Sequence, residues 1–314
     1  MKSIAAFLRL IRGLNLLFIL LTQCLFYYIV LPFVYATNGS GQKPYLSQMD
    51  FLLMVAASIC IAAAGYIIND YFDLNIDLVN KPDKLIIEKH IKRRWAIVFH
   101  VFLSMAGLVL SCYVGWHIHN LYIPVFNLLC IAALWFYSTT FKQKILVGNV
   151  IISLLTAWVI LVITIAEYNF IRGVASQSLP GSRLLKVSFI YAGFAFVISL
   201  VREVVKDMED MDGDAKYGCR TMPITWGIPA SKVFAGVWLV VVIADVVIIQ
   251  FYALHLGWWL SSFYSFALIV FPLIVITKKL YEAQTGLHFH IISRIIKFVM
   301  LTGIISMVFF RLYM

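Results

Sequence analysis

The chain has 314 residues, of which 62% are apolar and 13% charged, with a formal net charge of +10 and a mean hydropathy of +0.93. A water-soluble domain is about 45–50% apolar and about 25% charged, so these values exclude a soluble core of this size, a disordered chain, a disulfide scaffold and a coiled coil. Apolar runs of about twenty residues without alternation exclude a membrane β-barrel; they predict an all-α polytopic membrane helical bundle of about nine transmembrane helices, one domain over 1–314.

Lys2, Arg9 and Arg12 precede the first apolar run, 14–36. That run is too long for the apolar part of a secretory leader and no small-residue cleavage site follows, so it reads as a retained span. Further spans are expected over 49–70, 95–116, 121–139, 146–167, 185–205, 232–252, 256–277 and 292–312. The connections at 117–120 and 253–255 are tight, whereas 71–94 and 206–231 are long and polar. With the N-terminus inside, 20 of the 25 Lys and Arg fall on the inner side, which orients the chain in a plasma (inner) membrane with that side cytoplasmic. Anchoring to anionic membrane lipid accounts for most of this charge, and nucleic acid is not implied. Cys24, Cys60, Cys112, Cys130 and Cys219 show no metal spacing, and all but Cys219 lie in apolar runs as small hydrophobes. Trp258 and Trp259 read as interface anchors, His117, His119, His255, His288 and His290 as surface residues, and Asp245 as paired within the bundle.

The acids carry the main signal. Of 15 Asp and Glu, 11 fall in two inner-side segments, Asp70 to Glu88 and Glu203 to Asp214. Asp70, Asp73 and Asp77 repeat the spacing of Asp207, Asp210 and Asp214 at a constant offset of 137 residues. On a helix, positions i, i+3 and i+7 share a face, so each set is a stripe of carboxylates where a span leaves the membrane. Two solvated helix ends would have no need of one spacing twice. Like charges at this spacing cost about 0.2–0.5 kcal/mol per pair when exposed, and a carboxylate drawn into hydrocarbon about 2.5–3.5 kcal/mol. A divalent cation relieves both, and an all-oxygen donor set suits Mg²⁺. Mg²⁺ on carboxylates commonly completes its shell with water and phosphate. The interleaved Lys81, Lys84, Arg202, Lys206 and Arg220 would suit a diphosphate clamped between the stripes.

At these residues the chain resembles the UbiA family of intramembrane prenyltransferases. Asn69-Asp70-Tyr71-Phe72-Asp73-Leu74-Asn75-Ile76-Asp77 follows the family's NDxxDxxxD pattern and Asn80-Lys81-Pro82-Asp83-Lys84 its N-(K/R)-P-x-(R/K). Gly218, Arg220, Thr221 and Pro223 match the tail of the second motif, G-x-(R/K)-T-x-P. Tyr137-Ser138 with Lys142, Gly148-Asn149, and Arg12 with Asn15 match further family positions. Nine spans is also the family's count, so the likeness covers nearly the whole chain. It implies transfer of a polyprenyl group from its diphosphate donor to a lipophilic acceptor. Asp70, Asp73 and Asp77 would hold one Mg²⁺ and Asp207, Asp210 and Asp214 another, these six being the catalytic set. Asn69, Lys81, Lys84, Lys142, Arg202 and Lys206 would bind diphosphate, and Arg12, Asn15 and Arg220 the acceptor. Tyr66 and Phe72 are rings that could steady an allylic cation.

The second motif's wording is most similar to members that prenylate geranylgeranylglyceryl phosphate in ether lipid synthesis, with a geranylgeranyl donor. One departure bears on the acceptor: Leu85-Ile86-Ile87-Glu88-Lys89 stands where many members carry a Pro-Ile-Pro-Ser-Gly type segment. An aromatic quinone precursor, hydroxybenzoate or dihydroxynaphthoate, is the alternative acceptor. A transporter with an ion path is the alternative class, but its charges belong near the midplane in broken helices. A phosphatidyl-group transferase needs a DGxxAR run, and none is present.

Overall fold

The computed structural model describes residues 2–36, 44–80, 86–167 and 180–314. Among them, nine helices are long and apolar enough to cross a membrane. A short helix α1 (Lys2–Leu10) leads into α2 (Gly13–Ala36), α3 (Gln48–Phe72) and the short α4 (Leu74–Asn80). Then come α5 (Arg93–His117), α6 (Tyr122–Thr139), α7 (Val147–Ala166) and α8 (Pro180–Glu209). The short α9 (Met211–Lys216) precedes α10 (Met222–His255), α11 (Trp259–Glu282) and α12 (Gly286–Leu312). The nine expected spans are all present, and the chain is an all-α membrane bundle.

Several helices outrun their apolar stretches. α8 continues to Glu209 and α10 starts at Met222, because i→i−4 bonding continues through the interface after hydrophobicity has fallen. Proline sets the irregular turns. Pro32 and Pro272 each follow a widened π-turn, Phe26–Val30 and Phe266–Val270, which accommodates the missing N–H and the ring. In α10, Gly227 breaks the helix at φ 84°, two residues before Pro229. A side chain there would force a left-handed residue.

α3 and α8, which carry the acidic motifs, are the structural centre. α3 packs on α2, α5 and α6, and α8 on α7, α10 and α12. A Cβ on Gly107 would meet Ile61 at 2.6 Å and the Ala57 carbonyl at 3.1 Å, so a small residue sets the α3–α5 approach. Polar side chains bind the spans together: Asn127 donates to Ser111 and accepts from Trp158, Gln23 donates to Ser58, and Thr164 donates to Ser188. Rings and branched side chains such as Val233, Val237, Ile248 and Phe263 face outward, as a lipid-solvated surface requires.

The structure revises two smaller expectations, for His290 and Asp245, and adds contacts for His117 and Trp258. His117 is exposed, as expected of a surface residue, and pairs with buried Asp50 at 2.9 Å, whereas His290 lies half-buried on α12 and meets Glu209 at 2.7 Å. Trp258 stacks on Tyr313 and packs against Phe310 and Phe33. Asp245 is exposed on the outer face of α10, whose buried stripe runs through Ala235, Leu239, Val242 and Val246.

Glu167 caps the far end of α7 and is fully buried. It accepts from the Tyr35 hydroxyl at 2.8 Å and from the Tyr45 and Leu46 N–H groups, both at 2.9 Å. Burial pushes its carboxyl above the ordinary range, while the donors act against that shift. Glu167→Ala leaves three buried donors unmet at about 1–3 kcal/mol each, so it should lower the unfolding temperature in detergent by about 5 °C or more.

Candidate active site

Both acidic stripes bend at the middle aspartate. Asp73 (φ −82°, ψ −2°) ends α3 and precedes α4, and Asp210 (φ −96°, ψ 5°) ends α8 and precedes α9. The kinks share the 137-residue offset of the motif, so the expected single-helix stripe is replaced by two helices meeting at a carboxylate. The electrostatic reason is local. A carboxylate at a helix C-terminus faces the negative end of the dipole, whereas one at the start of a new helix faces the positive end. Each kink moves the third aspartate of its set, Asp77 or Asp214, into the first turn of the next helix.

α4 packs against α9, which brings the two motifs to one mouth of the bundle. Lys142 stands between them on the turn Phe141–Gln143 that joins α6 to α7. Its ammonium pairs with Asp73 and lies within electrostatic reach of Asp214. Burial opposes that charge, but Asp73 outweighs it and holds the lysine above its ordinary range, hence protonated. Gly148 makes the placement possible: a Cβ there would stand 3.0 Å from the Lys142 backbone.

Around this centre Asp73, Asp207, Asp70 and Glu203 each have a partner. Asn69 Nδ2 donates to Asp73 Oδ2 at 2.7 Å, and Asn149 Nδ2 to Asp207 Oδ2 at 2.8 Å. Arg12 reaches Asp70 at 2.7 Å and lies 5.1 Å over the Tyr66 ring. Arg12 adopts a left-handed turn, φ 51°, between α1 and α2. Burial works against its charge, and Asp70 more than restores it. Glu203 meets Arg202 at 2.9 Å and Lys206 at 3.7 Å. The Cys219 thiol is pushed up to about 11 by burial and then by Asp214, so it is inert.

The donor set fits a divalent cation, though not as two cages of three. Among the described residues, no three His, Cys, Asp or Glu side chains stand close enough to hold one ion together. Asp70 is engaged by Arg12 and the kinks splay each stripe. What remains is one or two carboxylates per motif, with the buried Asn69 Oδ1 lacking a partner among the described residues. That arrangement suits Mg²⁺, which commonly keeps waters and takes phosphate oxygens.

Of the residues singled out from the sequence, Asn69, Asp70, Asp73, Asp207, Asp214, Lys142, Arg202, Lys206, Arg12 and Asn15 gather in one network. Asp77 and Asp210 lie at its edge on α4 and at the start of α9. Lys81 and Lys84 lie outside the described residues. Arg220 is exposed, and its backbone N–H donates to the Gln143 carbonyl at 2.8 Å, so the structure places it on the Lys142 turn rather than beside Arg12. Glu203, Asn149 and Lys297 were missed as site residues. The signal for Glu203 was its place one helical turn before Asp207, and for Lys297 its place as a cation inside an apolar span.

The model of the UbiA prenyltransferase family matches residues 24–286, and the chain belongs to that family. Among its relatives, the digeranylgeranylglyceryl phosphate synthase of Haloquadratum walsbyi is 39% identical over 194 residues, 62% of each chain. The enzyme of the same name from Sulfurisphaera tokodaii is 33% identical over 205 residues, 65% of this chain and 67% of that one. The match thus spans about 62% of the length of the first of these relatives. A solved digeranylgeranylglyceryl phosphate synthase in membranes superposes over 98% of this chain and 99% of its own, with TM-score 0.61 and 24% identity. A UbiA homologue from Archaeoglobus fulgidus bound to DMAPP and Mg²⁺ superposes over 96% and 99% with TM-score 0.56 and 15% identity. These likenesses establish the fold.

Lys142→Met strands a buried carboxylate and should cost roughly 2 kcal/mol or more of stability. Asp73→Asn combined with Lys142→Met should cost less than the two single changes added together, as read from thermal unfolding in a double-mutant cycle.

Proposed function

We propose that the protein transfers a geranylgeranyl group from its diphosphate to the hydroxyl of a geranylgeranylglyceryl phosphate lipid. One observation carries the reading: two acidic motifs converge on Lys142 at a single mouth of an otherwise apolar bundle. The names of the relatives support the choice of acceptor. The allylic C–O bond to diphosphate breaks, a C–O bond to the acceptor oxygen forms, the hydroxyl gives up its proton and diphosphate leaves.

The chain's own residues divide the work. Lys142, fixed against Asp73, offers permanent positive charge where the leaving diphosphate develops its own. One or two carboxylates of each motif, from Asp73 and Asp77 on one side and from Asp207, Asp210 and Asp214 on the other, would hold Mg²⁺, with Asn69 Oδ1 as a further oxygen donor. When bound, the metal supplies Lewis-acid neutralisation of the leaving group. Tyr66 presents a ring beside the mouth. The apolar spans keep water from the allylic cation, which would otherwise be captured as a prenyl alcohol.

The basic flanks support a mouth that faces the cytoplasmic side of the plasma membrane. The partners are then a polyprenyl diphosphate, a lipophilic acceptor and the surrounding membrane lipid, with no nucleic acid.

The test is diphosphate release by purified protein with geranylgeranyl diphosphate and Mg²⁺, run side by side with geranylgeranylglyceryl phosphate, hydroxybenzoate and dihydroxynaphthoate. Release should depend on the glyceryl phosphate acceptor and vanish with EDTA. Preference for an aromatic acceptor would replace the acceptor named here, and flux of substrate without bond cleavage would favour a transporter. Asp73→Asn and Asp210→Asn should each lower kcat by about 10²-fold or more. Gly148→Val, which displaces the Lys142 turn without touching a charge, should lower kcat by about 10-fold or more through lost positioning.

A further inference from the structure

Lys297 belongs to neither acidic motif. It stands on α12, where its Nζ donates to Asn15 Oδ1 of α2 at 2.8 Å and lies 5.3 Å over the Phe18 ring. It therefore faces the inside of the bundle rather than lipid. Among the described residues, the charged groups that act on it are Arg202, Arg12 and Lys206, all cations. Among the described residues it pairs with no carboxylate, since Asp70 is engaged by Arg12 and Glu203 by Arg202 and Lys206. Arg202 donates from one terminal nitrogen to Glu203 and leaves its Nε buried with no acceptor among the described residues.

A half-buried ammonium among like charges is unfavourable until an anion joins it. The surroundings say which kind. Phe18, the ring beneath Lys297, also lines an apolar cavity of about 80 Å³ together with Met300 and Ile304, which lie one and two turns further along α12. A cationic seat beside an apolar cavity complements an amphiphile with an anionic head and a hydrocarbon tail.

Resting on the transferase reading above, we infer that Lys297, Arg202 and Asn15 seat the phosphomonoester of the acceptor lipid, apart from the diphosphate mouth at Lys142. Donor and acceptor both carry phosphate, and two such anions in one poorly screened mouth repel each other. A second set of cations, joined to the first through Arg12 and Glu203, holds the acceptor head while its tail follows α12. Arg202 then serves the acceptor rather than the diphosphate.

The test is binding of geranylgeranylglyceryl phosphate to the full-length protein in EDTA, followed by tryptophan fluorescence, for wild type, Lys297→Met, Lys297→Gln and Lys297→Arg. The Met and Gln variants should each weaken binding by about 10-fold or more and Arg should restore most of it, because a charge-assisted phosphate contact is lost and regained. Geranylgeranylglycerol, which lacks the phosphate, should bind all four forms alike. Donor KM should stay within about 2-fold while acceptor KM rises, the signature of lost binding to one substrate. Equal weakening of donor and acceptor, no change in either, or equal displacement by phosphatidic acid would each overturn the seat. Absence of turnover with intact Lys297-dependent binding would count against the transferase reading and leave the seat standing. Normal turnover with binding indifferent to Lys297 would overturn the seat alone.

Discussion

Carboxylates from two distant segments share one poorly screened mouth, and the rest of the structure is arranged to make that tolerable. Left alone, Asp73, Asp207, Asp214 and Glu203 would repel one another and resist leaving water. Lys142 meets this problem directly. It reaches in from the α6–α7 turn, pairs with Asp73 and lies within reach of Asp214, so the two motifs approach across a cation. Arg12 does the same for Asp70, and Arg202 with Lys206 for Glu203. The neutral amides Asn69 and Asn149 complete the set by donating to Asp73 and Asp207.

The backbone contributes as much as the charges. The paired kinks at Asp73 and Asp210 turn the end of each long span into the start of a short helix, and those short helices, α4 and α9, are where the halves meet. Without the kinks, each stripe would continue along its own span axis and out of the bundle. Gly148 permits the turn that carries Lys142, and the left-handed Arg12 directs its guanidinium back onto α3. Small deviations from helical geometry, each at a residue that can bear it, thus assemble the site.

The two ends of the bundle are built differently. At the far end Glu167, about 27 Å along α7 from Asn149, is sealed by neutral donors, and Asp50 is covered by Ser47 and His117. There each acid is finished internally. At the motif end, among the described residues, Asn69 Oδ1 and Arg202 Nε have no partner and the Lys297 ammonium meets only the neutral Asn15. Acceptors and donors left open together, over an apolar interior, suit a site that receives charged heads and shelters hydrocarbon.

Composition alone determined that the chain is a helical membrane bundle, because a run of about twenty apolar residues leaves the backbone no other way to satisfy its hydrogen bonds in lipid. The repeated spacing of Asp70, Asp73, Asp77 and Asp207, Asp210, Asp214 likewise marked the site, since clustered acids in so apolar a chain demand a function. Which residues answer which acid was decided only in three dimensions. Lys142 lies 69 residues from Asp73, Asn149 58 from Asp207, and Lys297 282 from Asn15, and no local pattern encodes pairings over such distances. The sequence could not show that the stripes kink either, because the spacing 0, 3, 7 fits a straight helix as well as a broken one. Nor could it show that Arg220 turns to solvent while Lys297, counted from the sequence as one more basic flank, turns inward. Helix packing makes that choice, through which face of α12 meets α2 and α8.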